Sequence, residues 1–323
     1  MKVAVVGAGG IGGYYGALLQ RTGHDVTFLA RGVHLAAMRD RGLRLESVGL
    51  PESLQMGVRA TDRPEEVGPV DLALFAVKSY DTDTAAQLLA PLLGGETAVL
   101  TLQNGVENIE RLSERIGRRH ILGGACYIFA AIASPGVITH TGGPGRVVIG
   151  ELDGRMTPRA QAIRDAFGAT GVPVELSAQI LTALWEKYLF ITAQGGMTAL
   201  TRLPIGIIRQ SPTTMEMYLD VASEVAGVGR AHGVPIPEGE RDRVRRGADS
   251  LNPNSFSSLH TDLVRGRRME LEALPGYAVR LGQRYQIPTP MCRAIYAALL
   301  PYDEAARHGS PMPEARSLEP EAR

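Results

Sequence analysis

Several absences narrow the field before any motif is read. The chain of 323 residues has no net charge, with 34 basic side chains against 34 acidic ones. A protein built chiefly to hold nucleic acid needs a basic excess or a basic patch, so that class is set aside. The locally basic run Arg241 to Arg246 sits among Glu238, Glu240 and Asp242 and reads as a solvated helix face. Cysteine is scarce: Cys126 and Cys292 are too few for a disulfide framework or a four-ligand zinc site. The seven histidines are scattered without ligand spacing, so no metal is expected. No run of 18 apolar residues occurs, which argues against a transmembrane helix. Lys2 leads straight into a strand, and a glycine turn then interrupts any hydrophobic stretch, so no secretory leader is read. A reducing cytoplasm is the expected compartment, with neither nucleic acid nor membrane as partner.

What is present is the composition of an ordinary globular protein, 44% hydrophobic and 21% charged. The length exceeds one usual core, so two domains are expected. The chain is organised around the stretch from Met1 to Arg31. Lys2 to Val6 reads as a short buried strand, Gly7-Ala8-Gly9-Gly10-Ile11-Gly12 as a tight glycine turn, Gly13 to Arg21 as a helix, and Asp25 to Leu29 as a second strand. This is the opening βαβ unit of a dinucleotide-binding domain. Gly7 permits the turn out of the strand, Gly9 leaves room for backbone to approach a pyrophosphate, and Gly12 lets the helix lie close on the sheet. Unpaired N–H groups at the helix N-terminus then face the phosphates.

The tip of the second strand discriminates between cofactors. An NAD site places Asp or Glu there for the ribose hydroxyls, whereas an NADP site offers an Arg to the 2'-phosphate. Here the tip is Leu29-Ala30-Arg31-Gly32, with no carboxylate. Arg31 therefore points to NADPH/NADP+ over NAD(H), through the planar donor fork of its guanidinium.

Beyond Arg31, Val33 to Gly42 is predicted helical and Leu43 to Ala60 irregular, with small strands or a hairpin. Pro69 to Val77 is a near-continuous apolar run, as in a central parallel strand covered on both faces, and it ends in Lys78-Ser79-Tyr80. A helix is predicted from Thr82 to Leu93. A further buried strand, Thr97 to Leu102, ends in Gln103-Asn104-Gly105. Both polar clusters fall just past the carboxyl ends of strands, where open α/β sheets bind ligands. Lys78 and Asn104 are accordingly candidates for the cofactor and substrate cleft. Val106 to Ile116 is predicted helical, and His120 to Ala133 begins with an apolar strand that Ser134-Pro135-Gly136 turns. Val137 to His140 and Arg146 to Gly150 read as two strands separated by Gly142-Gly143-Pro144-Gly145. A helix from Pro158 to Gly168 and a strand from Val172 to Glu175 complete a domain of residues 1–177.

From Ala178 to Arg307 the pattern is chiefly helical, with apolar residues at helical intervals. Trp185, the only tryptophan, is assigned to core or domain-interface packing. Met291 to Leu300 is a final helix, and the proline-rich, charged end at 308–323 reads as a loose tail. Lys187, on a predicted helix, could polarise a carbonyl and supply a proton as its oxygen becomes an alcohol.

Together these residues resemble the ketopantoate reductase (2-dehydropantoate 2-reductase) family from Lys2 to about Pro301. The resemblance is carried by Gly7 to Gly13, Arg31, Val77-Lys78-Ser79, Gln103-Asn104-Gly105, Trp185-Glu186-Lys187 and Thr198-Ala199-Leu200. Ser257 to Asp262, Gly266-Arg267 with Glu270, and Ile287 to Pro290 continue it. It implies an α/β N-terminal Rossmann domain followed by an all-helical C-terminal domain that encloses the cleft. It also implies NADPH-dependent reduction of a small 2-oxo acid, in pantothenate biosynthesis for the named activity. Lys187 matches the proton donor. Asn104 and Lys78 match cofactor and substrate cleft residues, Ser258 a substrate-binding serine, and Glu270 a carboxylate near the cofactor ribose and reaction centre. A helical second domain could also bury a homodimer seam.

The pattern departs in one place. Where the family carries asparagines four and eight residues after the lysine, this chain has Ile191 and Gly195, with Gln194 as a nearby amide. Isoleucine cannot hydrogen-bond a substrate hydroxyl, and a lost partner of that kind changes discrimination strongly. Three readings follow: ketopantoate reduction, reduction of a less polar 2-oxo acid or another small carbonyl compound, and a non-catalytic NADP-binding sensor.

Overall fold

The computed structural model describes residues 1–310. Of the segment expected as a tail, His308 closes the last helix and residues 311–323 lie outside the described residues. By internal packing the chain divides into two units, Met1–Lys187 and Tyr188–Arg323, within one long helix.

The first unit is built on a ten-stranded sheet. Its strands are β1 (Lys2–Val6), β2 (Asp25–Leu29), β3 (Leu43–Ser47), β4 (Leu54–Met56), β5 (Arg59–Thr61), β6 (Leu72–Phe75), β7 (Ala98–Thr101), β8 (Ile121–Ser134), β9 (Val137–Glu151) and β10 (Val174–Leu176). They lie in the order β4-β3-β9-β8-β7-β6-β1-β2-β5, with β10 beside β9. Strands β8, β7, β6, β1, β2 and β5 run parallel to one another, while β8–β9 and β3–β4 are antiparallel hairpins. The central strands are almost entirely apolar because both faces are covered: Val5, Val6, Leu72, Leu74, Val99 and Leu100 are fully buried. The chain runs outward from β1 to β2 on one side and returns to β6 on the other. The carboxyl end of β1 is thus the switch point at which such sheets bind ligands.

Helix α1 (Gly10–Arg21) begins inside the glycine turn, three residues earlier than the hydrophobic pattern alone suggests. Helix α2 (Gly32–Arg41) follows as expected. The helix expected at Thr82 to Leu93 is split: α3 (Thr82–Ala86) tightens into a 3-10 segment over Gln87–Leu92. Pro91 lies inside that segment and has no N–H to continue an α-helical ladder. Helices α4 (Glu107–Ile116) and α5 (Pro158–Ala169) follow expectation. Residues 142–145 do not separate two strands. They form an irregularity within β9, where the register against β8 shifts near Phe129 and Gly142, as a bulge does.

One polar cluster in this unit is pH-sensitive. The buried Glu151, at the end of β9, accepts from Thr157 Oγ1 (2.5 Å), Arg159 Nε (2.7 Å) and Arg159 Nη2 (2.7 Å). Burial alone would push its carboxyl up, but the hydrogen bonds from Arg159 and Thr157 and the charge of Arg159 more than offset this and hold it below the usual value. A carboxylate lowered in the fold contributes stability that is present above its unfolded value of about 4.5 and is lost as pH falls through the folded value. Glu151→Gln is expected to cost about 1–3 kcal/mol at pH 7. Thermal unfolding followed from pH 7 downward should show the variant and the wild type converging in acid; parallel curves at all pH values would contradict the assignment.

The long helix α6 (Ile180–Thr201) leads into the second unit, whose other helices are α7 (Ile205–Gln210), α8 (Pro212–Ala231), α9 (Glu240–Ser250), α10 (Ser258–Val264), α11 (Tyr277–Tyr285) and α12 (Pro290–His308). No strand occurs in this unit among the described residues. Its core includes Tyr218, Val221, Val225 and Val228 of α8 and Ile295 of α12. Gly196 of α6 packs closely there, since a Cβ on it would stand 2.9 Å from the end of the Ile295 side chain, which would have to shift. Glu224 caps α12, accepting from the backbone of Met291 (2.7 Å) and Cys292 (2.8 Å). The basic run near Arg241 is a paired surface, with Arg241 bonded to Asp220 at 2.7 Å and to Glu216. No helix among the described residues is long and apolar enough to cross a membrane.

Candidate active site

The glycine turn follows β1 at the switch point, and each of its glycines answers a different demand. Gly7 has φ +97°, a conformation side-chain-bearing residues rarely adopt. A Cβ on Gly12 would lie 2.1 Å from the Gly7 carbonyl and 2.8 Å from Val5, so this glycine sets the close approach of α1 to β1. A Cβ on Gly10 would meet the Ala130 carbonyl at 2.2 Å, because the far half of the β8–β9 hairpin crosses the start of α1. That demand on Gly10 is tertiary and has no local sequence signal. Gly9, the residue before α1, is different: a Cβ there meets nothing within 4 Å. The turn therefore keeps an open side at the helix N-terminus, which fits a dinucleotide's pyrophosphate. Ala8 is buried and Ile11 half-buried beside it.

Lys78 and Asn104 emerge from adjacent strands. Lys78 is half-buried and precedes a 3-10 turn, Ser79–Asp81, after β6; Asn104 is half-buried after β7. A buried polar network ties these two exits together. Gln103 Nε2 donates to the Val77 carbonyl (3.1 Å) and to Thr82 Oγ1 (2.9 Å). Thr82 Oγ1 in turn lies 2.8 Å from the Ser79 carbonyl and 3.0 Å from Asn108 Oδ1. Asn108 Nδ2 donates to the Asn104 carbonyl at 2.8 Å. Each member has a partner, which is how a buried polar network becomes rigid. Sequence reasoning singled out neither Thr82 nor Asn108, although both are polar residues on otherwise buried helix faces.

Lys187 closes the first unit on α6, with 8% of its surface exposed. Its Nζ donates to Asn104 Oδ1 at 3.0 Å and lies 4.0 Å from Cys126 Sγ on β8. The Cys126 thiol faces the Leu102 carbonyl at 3.5 Å. The buried Lys187 amine is thus held beside the carboxyl end of β7 by the side-chain amide of Asn104. Such a group can stabilise negative charge on an oxygen and donate a proton to it. The structure brings Lys187 and Asn104 together and adds Cys126, which composition had dismissed. Arg31 lies on the other side of the β1 turn, 73% exposed, and its Nη2 is 3.3 Å from Asp81 Oδ2.

The remaining candidates belong to the second unit. Ser258 is the exposed first residue of α10. Its neighbour Ser257 is buried and caps the helix through His260 N (3.0 Å), while accepting from Thr198 Oγ1 of α6 (2.7 Å). Glu270 is buried, and its carbonyl accepts from Leu274 N (3.1 Å) just ahead of a π-helical turn, Glu272–Gly276. Gln194 is also buried, with Oε1 accepting from Tyr218 (3.3 Å). Burial holds the Tyr218 phenol well above its ordinary range, so it remains a donor. Gln194 is therefore engaged in the helical core. Ile191 is half-buried, and a Cβ on Gly195 would make ordinary contact with Leu259 and Leu274 at 3.7 Å.

A Rossmann sheet with an open glycine turn, an all-helical second unit and a buried lysine at the strand ends define a nicotinamide-nucleotide-dependent oxidoreductase. Family models described as ketopantoate reductase PanE/ApbA and its C-terminal part match residues 3–154 and 179–303. The chain belongs to the ketopantoate reductase PanE/ApbA family. It is similar to an uncharacterized oxidoreductase, YkpB, of Bacillus subtilis, at 31% identity over 94% of this chain and 99% of that one. A 2-dehydropantoate 2-reductase of Mesorhizobium japonicum is 32% identical over 92% of this chain and 96% of its own. Among solved structures, a PanE/ApbA family ketopantoate reductase from Ralstonia eutropha superposes with a TM-score of 0.86 at 37% identity, covering 95% and 100% of the two chains.

Proposed function

We propose that this chain reduces 2-dehydropantoate (ketopantoate) to pantoate with NADPH, with residues 1–177 holding the nucleotide and residues 178–307 serving the substrate. The observation that carries the reading is the buried Lys187 ammonium bonded to Asn104 at 3.0 Å, beside strands whose switch point bears the glycine turn. When bound, the nicotinamide would supply a hydride to the carbonyl carbon. Lys187 stabilises the carbonyl oxygen as charge develops on it and donates the proton that completes the alcohol. Asn104, fixed through Asn108 and Gln103, holds the ammonium in place. Gly7 to Gly12 receive the pyrophosphate and Arg31 the 2'-phosphate. Family resemblance assigns Ser258 to the substrate and Glu270 to the cofactor ribose and the reaction centre.

A second reading, a less polar 2-oxo acid, is favoured by Ile191 and by the apolar neighbours of Gly195. One substrate comparison separates the two. Ketopantoate is set against 3,3-dimethyl-2-oxobutanoate, the same skeleton without the hydroxyl, and NADPH oxidation is followed. A site that hydrogen-bonds the hydroxyl should reject the analogue by about 10⁴-fold in kcat/KM, whereas an apolar wall discriminates by only about 10²-fold or less. A preference for the analogue would displace ketopantoate as the substrate. Tight NADPH binding without turnover of any 2-oxo acid would favour a sensor.

A further inference from the structure

The strands flanking β1 are β2 and β6, and the chains leaving them meet at one ion pair. Arg31 follows β2, and Asp81 ends the short turn that follows β6. Their side chains, 73% and 37% exposed, approach to 3.3 Å at the carboxyl edge of the sheet. The two groups have opposite meanings for a dinucleotide. A guanidinium there matches a 2'-phosphate, while a carboxylate accepts hydrogen bonds from a free ribose diol. The tip of β2 lacks that carboxylate in sequence, but the fold supplies one from the neighbouring loop.

We propose that Asp81 is a determinant of cofactor choice, tempering the preference for NADPH that Arg31 creates, so that the same site also takes NADH. The inference rests on the reading of Arg31 as the partner of the 2'-phosphate. A phosphate bound by Arg31 must share the guanidinium with Asp81, which engages one of its nitrogens, and remain beside a like charge. A ribose diol meets an acceptor and leaves the ion pair intact. Because the pair is solvent-exposed, its hold on Arg31 is weak. The preference for NADPH is therefore reduced by a modest factor and not reversed, which is the condition for dual use.

The test is equilibrium binding to the full chain, read from nicotinamide fluorescence, with NADPH and NADH titrated separately. Asp81→Asn is expected to raise the ratio of NADPH to NADH affinity by about threefold or more, and the gain should shrink as salt increases. Asp81→Ala, which also removes the acceptor, should in addition weaken NADH. Arg31→Ala should shift the ratio toward NADH. If Arg31→Ala shifts the ratio while both Asp81 variants leave it unchanged, the role of Asp81 is overturned and that of Arg31 stands. If none of the variants moves the ratio, both assignments are overturned.

Discussion

Replacing Lys187 by alanine is expected to lower kcat about 10³-fold while changing NADPH affinity by no more than about twofold. The asymmetry follows from where the ammonium sits. It is buried on α6, bonded to Asn104 at 3.0 Å and 4.0 Å from Cys126, at the end of β7 and away from the glycine turn. Its worth lies in charge that exists only as the carbonyl becomes an alcohol, so its loss is felt in turnover and not in nucleotide binding. Lys187→Arg should not restore activity, because guanidinium keeps the charge but does not release a proton at neutral pH. Single-turnover reduction with saturating NADPH separates the chemical step from product release. Unchanged single-turnover rates in Lys187→Ala would remove the lysine from the chemistry altogether.

Alanine at Gly9 and alanine at Gly12 are expected to fail in different ways. At Gly12 the new Cβ would stand 2.1 Å from the Gly7 carbonyl, and backbone cannot move aside as a flexible side chain can. Helix α1 must then lift from the sheet. A cost of about 3 kcal/mol or more is expected, lowering Tm by about 6–12 °C. At Gly9 the Cβ meets nothing within 4 Å, and the φ of −75° suits alanine. Its Tm should change by about 2 °C at most, while NADPH affinity falls about tenfold or more as the methyl occupies the open side of the turn. Thermal melts and fluorescence titrations on both variants check the pair. Unaltered NADPH binding by Gly9→Ala would show that the open side is not the pyrophosphate's.

The βαβ opening was legible because its determinants are local. An apolar run, glycines at fixed offsets and a second apolar run specify strand, turn, helix and strand without distant partners. The buried strands β6 and β7 were legible for a related reason: a strand covered on both faces must be apolar throughout. The break at Pro91 was available in the sequence, but the apolar pattern reads through it as one helix, Thr82 to Leu93, which the structure splits. The helical second unit declared itself through residues spaced at helical intervals. Family resemblance strengthened the role read for Lys187 and added roles for Ser258 and Glu270 that no local pattern supplies.

Other features depended on pairs far apart in the chain. Gly142-Gly143-Pro144-Gly145 read as a break because turns are rich in glycine and proline, yet the ladder with β8 carries β9 through them as a bulge. Gly10 looked like one more turn residue until the hairpin placed the Ala130 carbonyl against it. Cys126 and Lys187 are separated by 61 positions and Arg31 and Asp81 by 50. By itself, then, the sequence determined the Rossmann opening, the strand ends that carry Lys78 and Asn104, and the family. The tertiary structure alone decided which neighbour holds Lys187 and which carboxylate faces Arg31. Local geometry is set by torsions and periodicity within a few residues, whereas the partner of a side chain is set by which strands the sheet brings side by side.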